Sequence, residues 1–156
     1  MNIRKMEQKD YVQVKVLQTQ IHNKHIAARP DIYLSGVETM GVEYFDSLIN
    51  DDNGLNFVVE DGDKIVGCVL ANYKPASKVP IIKTRKVIYI DSIVVDSAHQ
   101  HQGIGKQLFL HLEKIAKANN VDSIELNVLA FNDSAIKFYE SLGMNTQSYK
   151  FEKRYK

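Results

Sequence analysis

Three groups of residues in this chain have the types and spacing to do chemistry. The first is Gln100-His101-Gln102-Gly103-Ile104-Gly105-Lys106, a polar turn between an apolar run and an amphipathic one. A helix N-terminus leaves backbone N–H groups without partners and carries roughly half a positive charge. Glycines there remove the Cβ atoms that would hold an anion away. Strand, glycine-bearing turn and helix thus make a cradle for a phosphate, although the same glycines would also serve a merely tight turn. The second is Asp91, the one charged residue within the apolar run VIYIDSIVV, Val87–Val95. A carboxylate there is unfavourable unless it is paired or working, and desolvation would raise its pKa and make it a better proton acceptor. A bond to nearby backbone or to Arg85 is the structural alternative. The third is a set of histidines. His22 and His25 are three apart on one helical face, and His99 and His101 flank the turn. No third ligand lies near the first pair, so ordinary polar or half-buried positions suit it better than a metal. Solvated or phosphate-facing positions likewise suit the second pair.

Two familiar phosphate cradles fail on these residues. A dinucleotide fingerprint needs a third glycine where Leu108 stands. A P-loop needs Ser or Thr where Gln107 follows Gly105-Lys106.

The elements that must position these groups follow from periodicity. Val87–Val95 suits a strand covered on both faces, in the middle of a sheet. Ile104, Leu108, Leu112 and Ile115 predict a helix with one buried face. Before them, residues 2–6 suit an edge strand. Asp10 with Gln13 resembles a capping box, and Val14, Leu17, Ile21 and His25 mark a helix that ends near Arg29, before Pro30. Ser35 and Glu38 suggest a second helix start, with Val42, Phe45 and Ile49 as its buried face. Residues 50–54 form a loop. Residues 55–60 and 64–73 predict a hairpin across Asp61-Gly62-Asp63. Pro75 and Pro80 bracket a polar connection. After the helix, Asn119-Asn120 turns the chain into a strand over 123–129. A helix over 132–142 ends at Gly143, and one or two closing strands are expected over 144–155, with Lys150, Lys153, Arg154 and Lys156 on a solvated edge. Two helices, a hairpin and then β-α-β-α-β predict an α/β sandwich with a mixed sheet and a right-handed parallel unit.

Composition sets limits. A chain of 156 residues suits one domain, 1–156, able to bury roughly two thirds of its unfolded surface. A net charge of +1 and the lack of a basic stripe argue against nucleic acid and anionic membrane. The single cysteine, Cys68, lies in an apolar run and reads as a buried inert thiol. No signal peptide and no apolar span near twenty residues are seen, so a soluble cytoplasmic protein is expected.

The turn Gln100–Gly105 resembles the Gln/Arg-x-x-Gly-x-Gly/Ala signature of the GNAT N-acetyltransferase superfamily. Downstream, Asn132-Asp133-Ser134-Ala135-Ile136-Lys137-Phe138-Tyr139-Glu140-Ser141-Leu142-Gly143-Met144 is similar to that family's Asn-x-x-Ala-x-x-Phe-Tyr-x-x-x-Gly-Phe element. The resemblance covers essentially the whole chain. It implies a single-domain GNAT-like sandwich in which the strands at 87–95 and 123–129 splay apart, flanked by helices. It also implies acetyl-CoA as cosubstrate, with no metal. Its pyrophosphate would bind at Gln100, His101, Gln102, Gly103, Ile104, Gly105 and Lys106, and its pantetheine arm on the backbone of Ile93, Val94 and Val95. Asn132, Ser134 and Tyr139 complete that implied site. Where the family more often has glycine, this chain has His101, so a tighter or shifted turn is expected.

Acyl transfer from a thioester to an amine needs no enzyme nucleophile. It needs a deprotonated amine, a polarised carbonyl and a proton for the leaving thiolate. A thiol near pKa 8.5 leaves well, and a tyrosine near 10 can donate to it. By the resemblance Tyr139 is that general acid and Asp91 a candidate base; a core aromatic beside Phe138 remains the alternative for Tyr139. His22, His25, Arg29, Tyr33 and Arg85 would line the acceptor side. The expected function is acetyl transfer from acetyl-CoA to a primary amine on a small molecule or protein, in a ternary complex. Transfer of a longer acyl group and a catalytically silent CoA-binding regulatory module are the rivals. Homodimers are common in the family.

Overall fold

The apolar alternations gather into one five-stranded sheet whose strands lie side by side in chain order: β1 Asn2–Lys5, β2 Phe57–Asp61, β3 Lys64–Tyr73, β4 Val87–Val95 and β5 Ser123–Leu126. The structure is a computed structural model that describes all residues, Met1–Lys156. Strands β1 to β4 pair antiparallel, and β4 pairs parallel with β5. A parallel neighbour requires a crossover, supplied by helix α3, Ile104–Ala118. Helices α1 (Tyr11–Ala28) and α2 (Val42–Ile49) cover the opposite face, and α4 (Asp133–Ser141) follows β5. The mixed sheet with helices on both faces is the α/β sandwich expected.

Two cores result. On one face Val66, Val69, Ile88 and Ile90 meet Ile104, Leu108 and Leu112 of α3. On the other, Val58, Cys68, Leu70 and Val94 meet Val14 and Leu17 of α1 and Phe45 of α2. Burial on both faces is why β3 and β4 read as nearly unbroken apolar runs. Truncating a fully buried leucine such as Leu108 to alanine is expected to destabilise the fold by about 2–5 kcal/mol. No helix is long and apolar enough to cross a membrane.

Several boundaries differ from the pattern-based expectation, each for a physical reason. Asp10 does not cap α1 with Gln13. Its carboxylate accepts the Glu7 N–H at 2.8 Å and a bidentate pair from Arg4 at 2.7 and 2.8 Å. Gln13 instead ties α1 to the hairpin, accepting the Ile65 N–H at 2.8 Å and donating to the Asp63 carbonyl at 3.2 Å. The segment from Ser35 to Glu38 is not helical. Glu38 is held by Lys15 and Thr39 by Thr19, and α2 begins only after Gly41. Strand β2 starts at Phe57 rather than Leu55. Strand β5 stops at Leu126 rather than Leu129, because β4 has left its side by then. Residues 144–155 form no strand: the tail is placed by side-chain contacts and finds no ladder partner. Its basic residues are solvated as expected, but on an unpaired segment.

Candidate active site

The site begins with a defect in β4. Along the β3–β4 ladder Leu70 faces Ser92 but Ala71 faces Ile90, so Asp91 is the extra residue of a β-bulge. The bulge switches the faces of the strand. Ile88 and Ile90 point toward α3 before it, and Ile93 and Val95 do so after it. The parallel pairing with β5 stops at the same place, with Ile90↔Leu126 as its last pair. From Asp91 to Val95, β4 is bonded to β3 alone and its other edge is open. Bulge and divergence together give the sheet a slot edged by main-chain groups.

That open edge runs into the turn before α3. Asp96 organises the turn: it accepts from Gln20 Nε2 at 2.9 Å and pairs with His99 Nδ1 at 2.7 Å. Hydrogen bonds from Gln20 and then from His99 hold its carboxyl below the ordinary range. Gln20 also accepts the Ser97 N–H at 3.1 Å, so α1 braces the turn from outside. His101 adopts φ 62° and Gly103 φ 79°. The turn therefore holds two left-handed residues, and His101, which has a Cβ, carries a strain of about 1–2 kcal/mol for it.

Gly103 caps α3 with no side-chain acceptor. The N–H groups of Ile104, Gly105 and Lys106 precede the first helical bond, from the Gln107 N–H to the Gly103 carbonyl at 3.0 Å. A Cβ at Gly103 would meet nothing within 4 Å, so the turn is open at that point, and free N–H donors at a helix start suit an anionic group such as a pyrophosphate. Gly105 has a different role. A Cβ there would lie 3.3 Å from the Phe138 ring, so this glycine lets α4 pack against the start of α3.

Asp91 is exposed, because the bulge takes it out of the apolar strand its neighbours occupy. Surrounding protein nonetheless raises its pKa through desolvation, and a hydrogen bond donated by Asn72 Nδ2 at 3.0 Å opposes the rise. Arg85 is not its partner: that guanidinium goes to Glu125 at 3.2 Å and Ser123 at 2.8 Å on β5. Tyr139, next to Phe138 on α4, is half-buried, and burial pushes its phenol up to about 12. Its ring meets Phe138 edge-on at 5.0 Å and its hydroxyl bonds to no protein group. Asn132 caps α4, accepting the Ala135 N–H and the Ser134 hydroxyl, both at 3.2 Å.

The expected acceptor residues are mostly engaged with other protein groups. His22 Nε2 meets the Leu34 carbonyl at 2.8 Å, and His25 stacks on Tyr33 at 5.0 Å and meets Phe131 edge-on. Burial, then the proximity of His22, lowers the pKa of His25. Arg29 pairs with Asp31 and with Glu152 of the tail, each at 2.8 Å. Arg29 and Arg85 are thus committed to ion pairs, while Tyr33, His25 and Phe131 form an aromatic cluster. No group of three His, Cys, Asp or Glu side chains converges as a metal site would.

Four residues with a part here escaped the sequence reading. Gln20 braces the turn and Gln18 donates to Ser92 Oγ at 3.1 Å next to the bulge. Asn72 holds Asp91, and Tyr44 of α2 lies within the field of Asp91, its pKa raised by burial and then by that charge. All four sit at ordinary polar positions, and only the fold brings them to β4. The open strand edge and the helix start without a side-chain cap suit an extended anionic molecule, while Asp91 is a carboxylate of raised pKa and Tyr139 a phenol protonated at neutral pH.

The family model described as acetyltransferase (GNAT) family matches residues 19–144. The [ribosomal protein bS18]-alanine N-acetyltransferase of Escherichia coli strain K12 is 43% identical over 54 residues, 35% of this chain and 36% of that relative. The matched stretch therefore spans well under half of the relative. A point mutant of the BH1408 protein from Bacillus halodurans superposes with a TM-score of 0.94 at 34% identity, covering 99% of each chain. The aminoglycoside N-acetyltransferase AAC(6')-Iy in complex with CoA superposes at 0.72 with 14% identity over 99% of each chain, a likeness of fold alone.

Proposed function

The chain belongs to the acetyltransferase (GNAT) family, and we propose that it moves an acetyl group from acetyl-CoA to a primary amine by direct attack in a ternary complex. The observation that carries this reading is the open edge of β4 leading into an uncapped helix start across Gly103. The N–H groups of Ile104, Gly105 and Lys106 receive the pyrophosphate, with Gln100, His101 and Gln102 around it. The free backbone of Ile93, Val94 and Val95 pairs with the amides of the pantetheine arm, and Asn132 and Ser134 at the start of α4 flank it. Acetyl-CoA supplies an activated thioester.

The protein's own groups then handle protons. As the amine nitrogen forms its bond to the acetyl carbon, Asp91 accepts the proton it loses, directly or through water. The carbon–sulfur bond breaks, and Tyr139 donates its hydroxyl proton to the sulfur. A phenol whose pKa lies near 12 is fully protonated at neutral pH, as an acid must be, although burial makes it a weaker donor than an ordinary tyrosine. Asp91, with its pKa raised by desolvation, is a stronger base than an ordinary carboxylate.

The acceptor is an amine on a small molecule or a protein, and the Tyr33, His22 and His25 wall faces it. The two acetyltransferases named above act on a ribosomal-protein alanine and on aminoglycosides, both amine-bearing. The reading includes one acetyltransferase domain over residues 1–156 and a cytoplasmic location. A panel of primary amines with acetyl-CoA, read by release of free thiol, tests it. Amine-dependent thiol release is expected. CoA binding without turnover on any amine would favour the silent module, and faster turnover with a longer acyl-CoA would favour the other transferase.

A further inference from the structure

Strand β4 has two ends, and the chemistry proposed above uses only one. Asp96 and the anion-binding turn follow its last residue, while the connection from Lys74 to Lys86 precedes its first. Asp91 lies between them. That connection is the most one-sided stretch of the chain. It holds Lys74, Lys78, Lys83, Arg85 and Lys86 and no acid, and every residue in it is exposed. The chain has 20 Lys and Arg against 19 Asp and Glu, so without these five cations the rest of the protein is acidic. A net charge of +1 thus conceals a positive pole at one end of the sheet.

The connection is ordered by its own hydrogen bonds. The Lys74 N–H donates to the Val87 carbonyl at 2.8 Å and the Lys86 N–H to Asp122 at 2.7 Å. At the tip the Ile82 N–H returns to the Val79 carbonyl at 3.0 Å, a turn that leaves Val79, Ile81 and Ile82 49%, 92% and 52% exposed. The cations divide into two groups. Lys74 and Arg85 pair with Glu125, and the Lys86 ammonium donates to the Asn119 carbonyl. Lys78 and Lys83, on either side of the tip, have no acid within ion-pair distance.

A lane joins this connection to Asp91. Tyr89 is paired with Asn72 on β3 and with Glu125 on β5, so the three side chains stand in one row on one face of the sheet. Asn72 holds Asp91 from that row, and the Lys74 ammonium lies over the Tyr89 ring at 5.8 Å. Lys74 and Arg85 offset the charge of Glu125, so the lane turns positive as it leaves Asp91. From Asp91 back to Val87 is about 13 Å at strand spacing, and only there does the connection begin.

We propose that the acceptor is an amine on a peptide or protein segment of acidic and apolar residues, which runs from Asp91 over Tyr89 onto the connection 74–86. The proposal rests on the transfer reaction above and narrows its acceptor. A molecule that ends near its amine stops short of the cations, whereas an extended chain meets them. Its carboxylates would face Lys78 and Lys83, and its apolar side chains Val79, Ile81 and Ile82. The same cluster repels a polycationic amine, so the positive pole also excludes competitors.

Two short peptides with a free amino terminus test this, one alternating Leu with Glu and the other Leu with Arg, alongside spermidine. Thiol release from acetyl-CoA reads turnover, and anisotropy of dye-labelled peptides reads binding to the CoA-loaded protein. The Glu peptide is expected to show KM and Kd values lower than those of the Arg peptide by about tenfold or more, a margin that shrinks with added salt. Lys78→Glu/Lys83→Glu, a change on exposed side chains outside both cores, should reverse the order. Selective binding of the Glu peptide without thiol release from any amine would retire acetyl transfer and still support the acidic-peptide surface. Equal constants for the two peptides would overturn the proposal, as would a preference for the Arg peptide or spermidine. A double variant that keeps wild-type selectivity, or binding to anionic phospholipid vesicles in place of the Glu peptide, would do the same.

Discussion

Along β4 and the first turn of α3, the candidate site consists of main-chain N–H and C=O groups; on the α1–α2 connection and the tail, the groups in question are side chains bound to other side chains. The first side depends on where the backbone can go: a bulge at Asp91, left-handed residues at 101 and 103, and a helix start without a cap. The second depends on pairs such as Arg29 with Glu152 and His25 with Tyr33 and Phe131. A backbone-built site tolerates many side chains and resists changes of conformation. A side-chain site does the reverse.

The largest expected effect falls on the chemistry between the two sides. Tyr139→Phe keeps the ring against Phe138 and deletes the donor. Turnover should fall by roughly a hundred- to ten-thousand-fold while CoA affinity stays unchanged. Because the phenol's pKa lies near 12, it should contribute no alkaline limb to the rate profile below that pH. Steady-state kinetics decide this. A variant within about threefold of wild type would mean that water supplies the proton and Tyr139 is a packing residue.

Asp91→Asn should follow, lowering turnover by about ten- to a hundredfold, with water partly replacing the carboxylate. A base works deprotonated, so the wild-type rate should fall as pH drops through the raised pKa of Asp91, and the variant should lose that limb. An unchanged pH–rate profile would remove Asp91 from the mechanism.

Asn72→Ala sharpens the same point more gently. Its donated hydrogen bond lowers the pKa of Asp91, so its loss should move the acid limb to higher pH and leave CoA binding intact. Movement to lower pH would contradict the assignment.

The smallest effect is expected at Gln102, exposed within the turn. If main-chain donors do the binding, Gln102→Ala should change CoA affinity by no more than about 0.5 kcal/mol in calorimetry. A large loss would make the cradle a side-chain site after all.

The same contrast explains what could be read from the chain. The strand, turn and helix around Gly103 are local and need only a few residue types in order, so spacing and a short motif revealed them. The bulge at Asp91 lies within an apolar run that Asp91 itself interrupts, but it depends on the register against β3, which no pattern within β4 encodes. Arg85 sat close enough in sequence to suggest a partner for Asp91, but β5 offers it Glu125 and Ser123 instead. One or two closing strands are expected over 144–155, and the tail does alternate apolar with charged residues. Alternation specifies a face, and a strand also requires a neighbour, which the rest of the chain does not provide.

Calorimetric titration of CoA into wild type, Gly103→Ala and Gly103→Glu tests the central claim, that an anionic cosubstrate sits on the backbone donors of α3. All three should fold, because a Cβ at Gly103 has open space. Alanine reports the strain of a left-handed residue alone, about 1–2 kcal/mol, and glutamate adds a negative charge where the pyrophosphate would lie. The expected result is clear binding by wild type, a modest loss with alanine and a loss of more than about a hundredfold with glutamate. Equal CoA affinity in the folded wild-type and Gly103→Glu proteins would contradict the account.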